Sequence, residues 1–264
     1  MTMEPHIFKE RLLEELGKFK HAISTDAGEW TVKGFVDVYR NIYTISLDTK
    51  VVSKIIELML FPILSRFAEE NRYRLILSEH QNHYPDIIFI AQDGTKIALD
   101  LKSTYRTGTE RVNGFTLGAF TGYFRQRKSN KNTTFPYEEY AAHFVLGTIY
   151  TRSEECAGEN KIYTLDYLSD IVSVVRDFVF LVQEKWRIGS NHPGSGNTKN
   201  IGSVKEINTL LEGNGPFASH SKEVFDDYWT NYLTRDMAQA IDSEVHYRNL
   251  EEYLKWRKGP AKRH

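Results

Sequence analysis

The segment from Tyr84 to Lys102 constrains this chain more than any other. Ile87-Ile88-Phe89-Ile90 and Ile97-Ala98-Leu99 are β-branched, aromatic or aliphatic, and Gln92-Asp93-Gly94 between them carries the Asp-Gly signal of a β-hairpin. A three-residue loop at Gln92-Asp93-Gly94 sets Ile87 opposite Leu99 and Asp86 opposite Asp100. A tighter Asp93-Gly94 loop shifts the pairing by one and leaves the aspartates as diagonal neighbours on less suitable faces. Side chains alternate along a strand, so Lys102 shares the face of Asp100. In the first register two carboxylates and one ammonium meet at one end of the sheet.

Carboxylates facing each other across a strand pair repel, and a divalent cation between them relieves the repulsion. Aspartate oxygens with water and phosphate suit magnesium, a hard ion that keeps several waters. A lysine beside such an ion can orient an attacking water near phosphate. The alternative is a surface hairpin with a solvated Asp-Lys pair.

The remaining features bound the class of protein. With 264 residues and 41% apolar content, the chain can bury one large core, and a single domain with appendages is expected. Cys156 is the single cysteine, which excludes an intramolecular disulfide and a cysteine-rich zinc site and fits a reducing cytosol. No apolar run approaches the roughly 20 residues that span a bilayer, so no membrane association is expected. The formal charge of −1 is not that of a bulk nucleic-acid binder. Basic residues are nevertheless concentrated in two places. Arg106, Arg111, Arg125, Arg127, Lys128 and Lys131 stand against Glu110, and a second excess runs from Glu244 to His264. Each suits phosphate contact or is simply a solvated face.

Periodicity predicts a helix over His6 to Ile23, for packing or subunit contact, and another opened by Asp48 as N-cap. Val52, Ile55, Ile56, Met59, Ile63 and Phe67 form the apolar stripe of the second, and Pro62 is expected to kink or break it. Off that stripe lie Lys50, Lys54 and Glu57. Glu57 either points at the Asp86/Asp100 site or pairs with Lys54 three residues earlier.

Glu79-His80-Gln81-Asn82-His83 precedes the hairpin, and its amides suit base-edge reading, whereas the two histidines lack a third nearby metal ligand. Phe115 to Tyr123 is apolar with small residues, a helix or a closely approached backbone. His143–Tyr150 and Phe178–Val182 read as buried strands, which with the hairpin make a mixed sheet flanked by helices. A loop by composition follows from His192 to Ser203, His192-Pro193-Gly194-Ser195-Gly196-Asn197-Thr198-Lys199-Asn200-Ile201-Gly202-Ser203, without the Walker pattern or a correctly placed GxGxxG. Its glycines allow close approach to base edges. Phe225, Tyr228, Trp229 and Tyr232 at helical spacing read as core or interface, and Lys258 to His264 as a frayed end.

In combination these blocks resemble the EcoRV-like type II restriction endonucleases of the PD-(D/E)xK nuclease superfamily. The likeness rests on Asp48-Thr49-Lys50 with Glu57, Gln81-Asn82-His83-Tyr84-Pro85-Asp86, Asp100-Leu101-Lys102, Phe115-Thr116-Leu117-Gly118, and Gly194 to Thr198 with Asn200 to Ser203. The blocks keep their order and span roughly Tyr43 to Tyr232. His80 stands where these enzymes have a glutamine, Lys199 where they have a threonine, and Gly122 replaces a serine.

The resemblance implies an α/β restriction-endonuclease-like core: a mixed five-stranded β-sheet flanked by helices, with a DNA-recognition loop and dimerisation elements. The chain is expected to form one endonuclease domain over 1–264, with a helical, dimerising 1–45, a catalytic and recognition core at 46–235, and a basic 236–264. The implied enzyme is a homodimer that cuts both strands of double-stranded DNA with Mg²⁺, Mn²⁺ being able to substitute. Its target would be GATATC, cut bluntly to leave 5′-phosphates. Asp86 and Asp100 would be metal ligands, Lys102 the catalytic lysine and Glu57 an auxiliary catalytic and metal-binding carboxylate. DNA contacts would come from Gly194, Ser195, Gly196, Asn197, Thr198, Lys199 and Asn200 in the major groove. Gln81 and Asn82 would lie in the minor groove, with Lys50, Ser103 and Thr104 near the backbone. No nucleotide cofactor is implied; a cognate DNA methyltransferase and the bacterial cytoplasm are. The rival readings are a structure-selective repair nuclease, a non-catalytic DNA-binding protein and a nucleotide-binding protein.

Overall fold

The structure is a computed structural model, and it describes residues 3–80, 83–153, 161–194 and 199–259. The chain opens with α1 (Pro5–Glu14) and α2 (Leu16–Ile23), which bury Phe8, Leu12, Phe19 and Ile23. The single helix expected over 6–23 is thus two. The break falls at Glu15, next to Gly17, the weakest helix former of the stretch. Two short strands follow, β1 (Gly34–Val36) and β2 (Asn41–Thr44).

The Asp48 carboxylate caps α3 (Thr49–Glu70) by accepting from the backbone N–H groups of Lys50 and Val51 at 2.7 and 3.2 Å. Of the kink or break expected at Pro62, the break does not occur: α3 runs through the proline. Proline deprives only the Leu58 carbonyl of its donor, and Leu58 and Pro62 share an exposed face where water can replace it.

The main sheet is built from β3 (Arg74–Leu77), β4 (Ile87–Ile90), β5 (Lys96–Tyr105), β7 (Tyr140–Arg152) and β9 (Val175–Glu184), in the order β3-β4-β5-β7-β9. Only β5 and β7 pair in parallel, so the sheet is mixed and five-stranded as expected. Between β5 and β7 lies β6 (Thr116–Ala119), which continues after a bend into a single 3₁₀ turn at Gly122–Phe124. The helix allowed for at 115–123 does not form. The close backbone approach does: Gly118 has φ +90°, and a Cβ there would lie 2.7 Å from Tyr123 Oη.

β8 (Ile162–Thr164) joins β2 and β1 in a small sheet of order β1-β2-β8. After β9 come α4 (Lys185–Ile188), β10 (Gly189–Pro193) and β11 (Asn200–Ser203), and β11 bridges β10 and β6, so that both ends of the stretch expected as loop over 192–203 are strand, held by pairing the composition did not reveal. The chain ends in α5 (Ile207–Glu212), α6 (Lys222–Asn231), α7 (Arg235–Ala240) and α8 (Leu250–Lys258). Lys258 therefore closes a helix rather than a frayed end, and residues 260–264 lie outside those described.

Strand alternation gives the sheet two apolar faces. Phe89, Leu99 and Phe144 pack with Phe8 and Phe67 from α1 and α3, with the Phe8 ring 5.1 Å from Phe89 and 5.5 Å from Phe144. Ile88, Ala98 and Val145 face the opposite core, where Phe225, Tyr228 and Trp229 of α6 are buried as core, as their spacing suggested. Asp86, Asp100 and Lys102 continue this second face beyond the end of its apolar run.

Candidate active site

The hairpin adopts the three-residue register. Ile87 pairs with Leu99, Ile88 with Ala98, Phe89 with Ile97 and Ile90 with Lys96, and Gly94, at φ +86°, closes the loop. Asp86 and Asp100 consequently face each other. The Asp86 N–H donates to Asp100 Oδ1 at 3.4 Å, and the Leu101 N–H donates to Asp86 Oδ2 at 2.8 Å. Lys102 Nζ lies 3.4 Å from Asp86 Oδ2 and 3.5 Å from Asp100 Oδ2, bridging the two carboxylates.

Burial pushes the Asp100 carboxyl above the usual carboxylate range; Lys102 and Lys185 oppose the rise, and Asp86 adds to it. Burial alone would lower Lys102, but Asp100 and Asp86 outweigh it and hold the amine above its ordinary value. At neutral pH Lys102 is therefore an ammonium, a hydrogen-bond donor and not a base.

A cleft of about 460 Å³ opens beside the pair, lined by Ser53, Glu57, Lys102, Ser103, Thr116 and Gly118. Glu57 reaches this cleft from α3 but is ion-paired with Lys54 at 2.7 Å. Among the described residues no group of three or more His, Cys, Asp and Glu side chains could hold a metal ion, so Glu57 does not join Asp86 and Asp100. Ser103 shares a 2.6 Å hydrogen bond with Ser53, tying β5 to α3. Thr104 is buried with its hydroxyl unpartnered among the described residues, and Lys50 is exposed on the first turn of α3.

Where β10 meets β11, the Gly194 N–H donates to the Asn200 carbonyl at 2.8 Å. The Phe120 N–H donates to the Lys199 carbonyl at 3.0 Å, tying Lys199 to the end of β6. Ser195, Gly196, Asn197 and Thr198 lie outside the described residues, as do Gln81 and Asn82. The His80 and His83 rings are 4.5 Å apart, and among the described residues no third metal-binding side chain is grouped with them.

Four of the six basic residues between 105 and 135 have internal partners. Arg106 donates to Thr151 Oγ1 and the Asp177 carbonyl, Arg111 pairs with Glu206, Arg125 donates to the Tyr232 carbonyl, and Arg127 pairs with Asp226. That leaves Lys128 and Lys131 for phosphate, fewer than the sequence suggested.

Sequence reasoning missed Lys185, His143 and Tyr84. Lys185 follows an unremarkable strand in the sequence, and only the fold buries it within electrostatic reach of Asp100. It is 2% exposed, and burial drives its amine down to about 8 against the pull of Asp100 and Asp226. Tyr84 Oη and His143 Nδ1 share a 2.8 Å hydrogen bond, and His143 stacks on Tyr137 at 4.0 Å. Burial keeps His143 neutral, well below the ordinary imidazole range, with Lys185 next in effect.

Pro85-Asp86 just ahead of β4 and Asp100-Leu101-Lys102 on β5 bring the two halves of the PD…DxK pattern together at one end of a mixed sheet. The family described as "Restriction endonuclease EcoRV" matches residues 26–258, wider at both ends than the span of the motifs. The type II restriction enzyme EcoRV of Escherichia coli is 34% identical over 239 residues, covering 89% of this chain and 94% of that one. The chain belongs to the EcoRV restriction endonuclease family, whose members are type II site-specific deoxyribonucleases. The NlaIV restriction endonuclease structure aligns over 97% of both chains at 12% identity, with a TM-score of 0.40, too loose a likeness to add to this.

Proposed function

We propose that this type II restriction endonuclease cleaves both strands of double-stranded DNA at GATATC, with blunt ends and 5′-phosphates, using Mg²⁺ or, in its place, Mn²⁺. The observation that carries the reading is the facing pair Asp86 and Asp100 with Lys102 on both carboxylates.

The donor set fits a hard divalent ion. Two carboxylates without a third suit an ion whose shell is completed by water and a phosphate oxygen. Asp86 and Asp100 would hold the ion. When bound, it supplies a positive charge against the scissile phosphate and acidifies a coordinated water. The Lys102 ammonium turns from the carboxylates to donate to the phosphate or to the attacking water. Glu57 is the auxiliary carboxylate; leaving Lys54 costs it only about 0.3–0.5 kcal/mol, because the pair is exposed.

Reading of the sequence is assigned to Gly194 through Asn200, with Gln81 and Asn82 in the minor groove and Lys50, Ser103 and Thr104 toward the backbone. The order Gly-Ser-Gly-Asn-Thr supports the major-groove assignment, as does the tie of Lys199 to the end of β6. A palindrome requires two copies. The small β1-β2-β8 sheet offers an apolar face for the second, with Phe35 52%, Val38 90%, Tyr39 82% and Ile162 61% exposed. The described residues include no helix long and apolar enough to cross a membrane. We read the chain as a single endonuclease domain of the bacterial cytoplasm, needing no nucleotide cofactor, with a DNA methyltransferase as its genetic partner.

Digestion of a sequenced plasmid with Mg²⁺, followed by end-mapping, tests this. Blunt ends at the centre of every GATATC are expected. Cleavage at another sequence overturns the specificity, and no cleavage by the folded protein overturns the activity.

A further inference from the structure

Lys205 stands just past the end of β11, exposed, with its ammonium free. Among the described residues it has neither an ion pair nor a side-chain hydrogen bond, and the adjacent acid, Glu206, is held by Arg111 at 2.6 Å. The backbone on which it sits is fixed. The Lys205 carbonyl accepts from the Val112 N–H at 2.9 Å, and the Lys205 N–H donates to Glu206 Oε2 at 3.3 Å. Gly114 shows where the side chain lies. A Cβ on this glycine, which has φ +97°, would stand 3.6 Å from Lys205 Cγ and 3.7 Å from Cε. The lysine stem therefore runs along the bare backbone of Gly114. Gly114 is also part of the wall of the cleft that holds Lys102, Ser103 and Thr116, so the free charge is carried at the rim of that cleft.

Strand pairing sets Lys205 apart from the stretch assigned to base reading. β6 and β11 are antiparallel, with Asn200 opposite Ala119 and Gly202 opposite Thr116. Lys199 is tied to Phe120 at one end of this ladder. At the other end the Ser203 N–H donates to the Phe115 carbonyl at 3.0 Å, and Ser203 Oγ accepts from the Phe115 N–H at 2.8 Å. Gly114 and Lys205 lie just beyond. From Asn200 to Lys205 the chain covers roughly 16 Å if extended, close to five base-pair steps of about 3.4 Å. A ladder with one end among base edges carries its other end past them to the sugar-phosphate wall.

We propose that Lys205 is a DNA-backbone contact whose ammonium binds a phosphodiester outside the bases that the recognition stretch reads, adding affinity for any duplex and no choice among sequences. The proposal rests on reading the Lys102 cleft as the DNA face. A compact charge on a flexible stem suits a phosphate and lacks the fixed fork that base reading uses. Its contribution comes from release of condensed counterions, which added salt opposes.

The test is the salt dependence of equilibrium binding by the full-length protein, in EDTA, to a duplex containing GATATC and to one of equal length without it. Lys205→Met keeps the stem and removes the charge. Its plot of log K against log salt should be shallower by about 1 per bound protomer with either duplex, and Lys205→Arg should keep the original slope. Lys20→Met is the control for net charge: Lys20 is exposed on α2, whose Phe19 and Ile23 are buried in the other core, and its slope should not move. With Mg²⁺, the ratio of kcat/KM between GATATC and a site changed at one base pair should be the same in Lys205→Met as in the unaltered protein. An unchanged slope, or an equal loss in Lys20→Met, overturns the proposal and leaves the nuclease reading intact. A shallower slope with a fall in the kcat/KM ratio also overturns it, because Lys205 would then read bases. Failure of the unaltered protein to bind or cut any duplex overturns the nuclease reading as well. Circular dichroism checks the fold, and should Lys205→Met not fold, Lys205→Gln is held to the same outcomes.

Discussion

The Leu101 N–H donates a 2.8 Å hydrogen bond to Asp86 Oδ2, so the strand that carries Asp100 also fixes the side chain of Asp86. The bond joins a backbone donor on β5 to a carboxylate just ahead of β4. Asp86 thus needs no neighbouring side chain to orient it, and its other oxygen stays available. Asp86→Ala should lower kcat by at least ~1,000-fold, with the circular dichroism spectrum unchanged. Turnover near normal would remove Asp86 from the site.

Asp100 costs the fold stability at neutral pH. Its carboxyl lies above the usual range, chiefly through burial, so the folded state holds a proton more tightly than the unfolded state does. Stability from this group is present below the ordinary carboxylate value and lost as pH rises through the raised one. Asp100→Asn keeps the neutral form at every pH. It should stabilise the protein by about 0.5–2 kcal/mol at pH 7, with the advantage vanishing toward pH 3–4. Melting temperatures of both proteins across that range check it.

Lys54 and Glu57 form an exposed pair on α3, with Lys54 64% exposed along its side chain. Lys54→Ala should change stability by less than about 0.5 kcal/mol. Glu57→Ala should slow cleavage by roughly tenfold, in keeping with an auxiliary role. Single-turnover rates separate this from the Asp86 effect, and an unchanged rate in Glu57→Ala would place the residue outside the reaction.

Val38 is 90% exposed on the β1–β2 connection of the small sheet. A buried, unpaired charge at a dimer interface costs several kcal/mol. Val38→Asp should shift the protein to monomer in sedimentation equilibrium and reduce double-strand cutting. A dimer of unchanged affinity would direct the search for the interface elsewhere.

Asn197→Ala should reduce kcat/KM at GATATC by roughly 10- to 100-fold, the value of one paired base-edge contact. Cleavage assays against a substrate changed at one base pair show whether discrimination falls with it.

The hairpin register, and with it the meeting of Asp86, Asp100 and Lys102, was legible in the sequence because it is local. Loop length and two-residue alternation decide it within nineteen residues of chain, from 84 to 102. The Asp48 cap was legible for the same reason. Where several local preferences compete, tertiary contacts chose between them. The terminal helix broke at Glu15, α3 ran through Pro62, and the 115–123 stretch became a strand. Four arginines that read as phosphate contacts were taken up by partners as distant in sequence as Tyr232 and Asp226. The pairing of Glu57 with Lys54 and the burial of Lys185 within electrostatic reach of Asp100 were likewise decided only in three dimensions. Burial and pairing depend on which chain segments pack together, and neither charge counts nor spacing record that. Lys185 and Asp100 are 85 residues apart in the chain, and only the β5-β7-β9 pairing brings the end of β9, which Lys185 follows, into the sheet that carries Asp100.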